Sequence, residues 1–192
     1  VEAAIGTTES YALRPATPPQ VVDLSTDPAR HLETEIGYIL RQTLKETVED
    51  IATLKKSVAA IAAIIEVPGS PVEAAQPATA TDLLAWNINA KEIILATPLA
   101  GTELDVDALE ITLTRDGEVI NTGNGGQAAG GQWQTLLETV NELVRLGYTL
   151  QPGDIITNGA LGKVVKAEPG AYEADFGPLG KITFSVVAGT AE

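Results

Sequence analysis

Cysteine and methionine are both absent from the 192 residues, and histidine occurs once. Without Cys there is no thiolate nucleophile, no disulfide and no Cys-ligated zinc, and the redox compartment stays open. The lack of any Met, with Val1 at the start, implies processing, trimming or a natural chain longer than this one. Aromatic residues are scarce, with two Trp, four Tyr and two Phe, so a core must be built mainly from Leu, Ile, Val and Ala. Basic residues are also few: 12 Lys and Arg stand against 26 Asp and Glu, for a formal net charge of −14. That balance opposes nucleic-acid binding, which relies on basic patches to neutralise phosphates. No apolar run approaches the roughly 20 residues that a membrane-spanning helix needs, and no signal peptide is visible.

The hydrophobic fraction of 44% and the charged fraction of 20% indicate a globular chain. Its length suits one domain with a sizeable core, with an arm at the front. In residues 1–30, Pro15, Pro18, Pro19 and Pro28 prevent a long helix. We read this region as an arm or loop series holding a short strand at Gln20-Val21-Val22-Asp23-Leu24. The domain proper is expected over residues 31–192. Thr47 is expected to cap a helix, with Glu49 and Asp50 in its first turn. Ile51, Leu54, Val58 and Ile61 recur at helical spacing, and Lys55 and Lys56 mark the wet face. That helix should pass into a short strand over residues 63–67, ended by Pro68-Gly69.

Further on, residues 80–86 read as a short capped helix and residues 91–96 as a strand. Residues 108–114 alternate up to Asp116-Gly117, a strong hairpin signal, and residues 118–122 return. The glycine-rich run 123–131 is expected to be a flexible connection, since it lacks the Walker Lys-Ser/Thr and any Rossmann spacing. A second helix over residues 133–146 should bury Leu136, Leu137, Val140, Leu143 and Val144 and stop at Gly147. Closely spaced strands finish the chain. The pattern is α+β and β-rich, with two main helices and no internal repeat.

The chemistry centres on three carboxylates. In a strand, Glu33 and Glu35 project from the same face of the apolar run His31-Leu32-Glu33-Thr34-Glu35-Ile36. Like charges held that close repel, and a hard cation is the simplest relief; an edge strand with both groups in water is the plainer alternative. Glu66 is the only charged residue in Ile61-Ala62-Ala63-Ile64-Ile65-Glu66-Val67. It must be paired with Lys91 or Arg41, protonated, bound to metal or pointed at solvent. Three oxygen donors with no His or Cys select Mg²⁺ or Mn²⁺ over zinc or copper and leave positions open for water and substrate. His31 is a possible base or ligand, but an exposed or capping role fits it better.

The segment Gly147-Tyr148-Thr149-Leu150-Gln151-Pro152-Gly153-Asp154-Ile155-Ile156-Thr157-Asn158-Gly159-Ala160-Leu161-Gly162 resembles the fumarylacetoacetate hydrolase superfamily. The similarity is to its 2-keto-4-pentenoate hydratase and 4-oxalocrotonate decarboxylase branch. Pro169-Gly170, Glu173-Ala174-Asp175-Phe176-Gly177-Pro178-Leu179-Gly180 and Ile182-Thr183-Phe184 match the closing strands. Glu118-Val119-Ile120 with Thr122-Gly123 resembles the family hairpin, and Ala85-Trp86-Asn87-Ile88-Asn89-Ala90 its Asn-bearing segment. Glu33, Glu35 and Glu66 fall on the family's metal-ligand positions.

The resemblance implies a mixed β-roll or sandwich of the family's C-terminal type, and a divalent cation that chelates a 2-oxo acid and stabilises its enolate. It further implies hydration of a 2-hydroxy-dienoate in the catabolism of aromatic compounds, or, in sister enzymes, decarboxylation or carbon–carbon hydrolysis. A cytoplasmic homo-oligomer is the family's usual form, and an extracytoplasmic location stays open. Thr157, Gly159 and Ala160 fall in a segment near the substrate, with Ala160 where many members carry Ser.

The front of the chain departs from the pattern. The hydratases have an acid–base Lys in a Lys-x-Gly context and a later Asp, both ahead of the first metal Glu. Ala4-Ile5-Gly6-Thr7-Thr8 is only faintly similar, no Lys or Arg precedes Arg14, and Asp23 and Asp27 read as loop residues. The catalytic acid–base residues are therefore unmatched, and the family's N-terminal region is expected to be shortened or outside this chain. A non-catalytic relative that keeps the fold is the resulting alternative. An acidic interaction domain without a site is the third.

Overall fold

Side-chain alternation divides the two longest strands between a core face and a second face that carries the carboxylates. The computed structural model describes residues 13–69 and 91–189. The strands, in chain order, are β1 (Leu13–Pro15), β2 (Gln20–Asp23), β3 (His31–Leu40), β4 (Val58–Val67), β5 (Glu92–Leu95), β6 (Leu99–Ala100), β7 (Glu110–Arg115), β8 (Glu118–Asn124), β9 (Ile155–Thr157), β10 (Val165–Lys166), β11 (Gly170–Asp175) and β12 (Lys181–Val187). The helices are α1 (Ile51–Ser57) and α2 (Gln132–Arg145). The expected helix over residues 80–86, the Asn-bearing segment at Asn87 and Asn89, and residues 4–8 lie outside the described residues.

One sheet runs β1-β5-β4-β3-β10, with β6 also paired to β4 and β9 to β3; the other runs β2-β12-β11-β7-β8. Their pairs are antiparallel except β1 with β5 and β2 with β12. Leu32, Ile36, Tyr38 and Leu40 of β3 and Ile61, Ala63, Ile65 and Val67 of β4 join Ile111, Leu113, Tyr172, Ile182 and Phe184 of the other sheet in one core. Helix α2 adds Trp133, Leu136, Leu137, Val140 and Leu143, while Val144 is only half-buried. The Tyr38 and Trp133 rings meet at 5.1 Å between centroids, so the few aromatics sit where elements join.

The first helix differs from expectation. Its N-cap is Asp50 rather than Thr47, accepting from the Thr53 backbone at 2.7 Å, and no acid follows in its first turn. It ends at Ser57, and Val58 and Ile61 belong to the ten-residue β4. The reason is burial on both faces: Ala60, Ala62 and Ile64 are buried on the second face just as Ile61, Ala63 and Ile65 are on the first. Such a strand shows no alternation to distinguish it from a helix. Lys56 is exposed as expected, but Lys55 lies over the Trp133 ring with its ammonium 4.8 Å from the centroid.

The hairpin at Asp116-Gly117 forms as read, with both residues at positive φ (51° and 85°), the geometry of a type I′ turn. The glycine-rich run is more ordered than a flexible connection. β8 extends to Asn124, which caps a 3-10 turn at Gly125–Gln127 through a capping box. Gly123 is required by packing: a Cβ there would stand 2.7 Å from the backbone carbonyl carbon and oxygen of Leu161.

Candidate metal centre

β3 and β4 pair so that Glu33 lies directly opposite Glu66, and Glu35 opposite Ile64. Strand periodicity then puts all three carboxylates on the second face of the sheet, away from the core between the sheets. One oxygen of each lies within 4.8 Å of the others. Glu35 is 2% exposed, whereas Glu33 and Glu66 are half-buried. Like charges directly opposed across an antiparallel pair destabilise a sheet.

No protein cation relieves them among the described residues. Lys91 faces Asp27 at 3.9 Å, and Arg41 donates its Nε to the Val58 carbonyl at 2.9 Å. Both partners expected for Glu66 are thus engaged elsewhere. The buried Arg30 and the half-buried Arg14 are tied up too, both paired with Glu92.

The carboxylates respond by holding protons. Burial, then the Glu66 charge, pushes the Glu35 carboxyl up to about 8, with the Glu33 charge adding to the rise and a hydrogen bond from the Thr157 hydroxyl opposing it. Burial, then the Glu33 charge, raises Glu66 to about 7, while its hydrogen bond with Glu35 acts downward. Burial raises Glu33 as well. Burial and mutual repulsion thus favour a proton held within the Glu35–Glu66 pair of the cation-free protein. A hard divalent cation supplies the positive charge this pocket lacks, and an all-carboxylate donor set is the one it prefers. The three residues fit such an ion.

Thr157 reaches this face because β9 pairs with β3 at Gly37. The loop that follows β9 carries Gly159, which is exposed, and Ala160, which is half-buried. Leu161 then pins the loop to β3. Its backbone donates to the Thr34 carbonyl at 2.8 Å, and its own carbonyl accepts from Thr34 Oγ1 at 2.8 Å. Residues 158–161 thereby run beside Glu33 and Glu35. His31 begins β3 opposite Lys166 and is not part of the carboxylate cluster. Asp27 is nearly buried, and Asp23 ends β2 and accepts from the Ser25 backbone at 2.8 Å.

Two contributors escaped the sequence reading. Thr34 ties the loop to the strand between Glu33 and Glu35. Gly37, a lone glycine inside an apolar strand, signalled a close approach: a Cβ there would stand 2.4 Å from Ile64 Cδ1 and 3.0 Å from Ile155 Cγ2.

No protein-family model matches the chain. Over 153 residues it is 31% identical to the 2-keto-4-pentenoate hydratase of Burkholderia vietnamiensis, covering 79% of this chain and 58% of that protein. The chain thus spans somewhat more than half the length of the curated relative. Among solved structures, its fold is similar to that of the 4-oxalocrotonate decarboxylase from Pseudomonas putida G7 complexed with magnesium and adipate. That match has a TM-score of 0.85 at 21% identity and covers 97% of this chain and 71% of the other. A fumarylacetoacetate isomerase/hydrolase-type protein of Oleispira antarctica aligns with a TM-score of 0.72 at 18% identity, over 94% of this chain and 80% of that one. The chain is thus related in sequence to 2-keto-4-pentenoate hydratases and shares the fold of fumarylacetoacetate hydrolase-type proteins.

Proposed function

We propose that this chain carries the metal-binding domain of a hydro-lyase that acts on 2-oxo acids, hydrating a 2-hydroxy-dienoate. Glu33, Glu35 and Glu66 would hold Mg²⁺ or Mn²⁺. One observation carries the reading: three carboxylates converge within 4.8 Å on a strand face where no ion pair among the described residues offsets them. The kinship with a hydratase at 31% identity supports hydration. The magnesium and dicarboxylate bound by the decarboxylase of similar fold support the choice of ion and of an acidic ligand.

When bound, the cation supplies Lewis acidity to the carboxylate and keto oxygens of a 2-oxo acid. The chain's own residues arrange that encounter. Glu35, walled off from solvent, and the half-buried Glu33 and Glu66 close one side of the ion's surroundings and leave the other to substrate. Ile64, fully buried opposite Glu35, keeps water from the rear of the site. The loop over residues 158–161, fixed to Thr34, forms a wall at which Gly159 and Ala160 would meet the substrate. Residues 31–192 would make up this catalytic unit, with β1 and β2 placing the described part of the preceding arm on its two sheets, and self-association would complete it.

A second reading, a relative that keeps fold and metal without turnover, is favoured by one fact. No Lys stands ahead of Glu33 in this sequence, and the two Arg that do are both engaged with Glu92. Ultraviolet loss of a 2-hydroxy-dienoate with added Mg²⁺ separates the two. Turnover that stops on chelation is expected for the enzyme, and its absence across pH would leave the non-catalytic reading standing.

A further inference from the structure

We infer that Thr157 is a positioning residue for the buried ligand: its hydroxyl, delivered by β9, orients the Glu35 carboxylate toward the cation. The inference rests on the metal reading of the triad and deepens it.

Glu35 is the least exposed of the three carboxylates, so water cannot fix its orientation. On β3 its same-face neighbours are Glu33 and Gly37, and on β4 it faces Ile64 directly and Glu66 diagonally. Thr157 lies opposite Gly37, hence diagonal to Glu35, a separation that longer side chains bridge. Both side chains stand on the carboxylate face of the sheet, which brings the Thr157 hydroxyl within reach of the Glu35 carboxylate. Gly37 puts no side chain of its own on that face, and a Cβ there would run into Ile64 and Ile155.

β9 is only three residues long, so something must hold it still. The residue after Thr157 does so from the opposite face. Asn158 donates its Nδ2 to the Gln132 backbone carbonyl at 2.9 Å and to Gln132 Oε1 at 2.8 Å. Gln132, 1% exposed, also accepts from the Tyr38 hydroxyl at 3.2 Å and donates to the Gly125 carbonyl at 3.0 Å. Its backbone N–H is held by Asp107 Oδ1 at 2.7 Å. The first residue of α2 thus serves as a buried hub. Through Asn158 it fixes the end of β9, and through β9 it fixes the hydroxyl that aims Glu35. Ligating carboxylates are commonly held by hydrogen bonds of this kind, and losing one typically weakens metal affinity about 10- to 100-fold.

The resemblance to family members suggested a substrate contact for Thr157, and the two roles separate cleanly. A side chain that touches only substrate leaves metal affinity unchanged when no substrate is present. Calorimetric titration of Mn²⁺ into the substrate-free protein, compared across wild type, Thr157→Val and Thr157→Ser, reads the difference. We expect Thr157→Val to raise the Mn²⁺ Kd by about tenfold or more, Thr157→Ser to restore it, and the metal-free melting curves of both to stay close to wild type. Should the Val variant fail to melt cooperatively, Thr157→Ala takes its place. Wild-type affinity in the hydroxyl-free variant would overturn the positioning role while leaving the metal reading intact. A Ser variant as weak as the Val variant would overturn it too. Absence of any Mn²⁺ binding to wild type would bring down both.

Discussion

Glu35 is the residue on which the site turns, because its charge is unwelcome until a cation arrives. Its folded-state carboxyl is raised above the ordinary value by burial and by Glu66, so the folded protein retains a proton that the unfolded chain releases near pH 4.5. Stability from this source is fully present below that value and is lost as pH rises through about 7 to 8, where Glu66 and Glu35 ionise in the folded state. Metal-free melting temperature should therefore fall between pH 5 and pH 8, and saturating Mn²⁺ should reverse the trend by favouring the ionised forms. Thermal melts in chelator and in Mn²⁺ across that range check both slopes. Glu35→Gln removes the titration, and it should stabilise the metal-free protein at pH 8 by something on the order of 2 kcal/mol while abolishing the response to Mn²⁺. This much was legible from the residues. Two acids two apart in an apolar strand, and a third alone in another, pointed to a shared charge. The place of Thr157 beside Glu35 was not legible, since it depends on which strand lies beside Gly37.

At the scale of elements, reading the sequence succeeded where a local signal was unambiguous and failed where tertiary burial erased it. Asp116-Gly117 and Gly147 mark their turns by backbone demands that only a few residue types meet. α2 shows a clear apolar stripe. β4 shows none, because Ala62 and Ile64 on the carboxylate face are as buried as Ile61 and Ile65 on the core face, and a helix was the wrong inference for Val58 and Ile61. The glycine-rich run misled in another way. Gly123 serves close packing against the Leu161 backbone, which no local pattern reveals. Gly123→Ala should destabilise the protein by about 1–3 kcal/mol through that overpacking, readable as a lower urea midpoint. The loop over residues 158–161 should loosen with it and amide exchange there should quicken. An unchanged midpoint would mean that the loop does not bear on β8.

For the molecule as a whole, the two sheets enclose one core, and the longer strands of the first sheet carry the reactive groups on the face turned away from it. This separates stability from chemistry: the core-face residues of β3 and β4 hold the fold while Glu33, Glu35 and Glu66 gather charge on the other face. The acidic total of −14 adds a general attraction for cations, but selectivity for a divalent ion would reside in the three converging oxygens. No described helix is long and apolar enough to cross a membrane. Hydration of a 2-hydroxy-dienoate, metal-assisted stability and the aim of Glu35 all depend on one claim, that the triad binds a divalent cation. Crystals soaked in Mn²⁺ and measured for anomalous scattering test it most directly. The account predicts a single strong peak at bonding distance from Glu33, Glu35 and Glu66 together. A crystal without that peak, or with the ion bound at a different set of carboxylates, would contradict it.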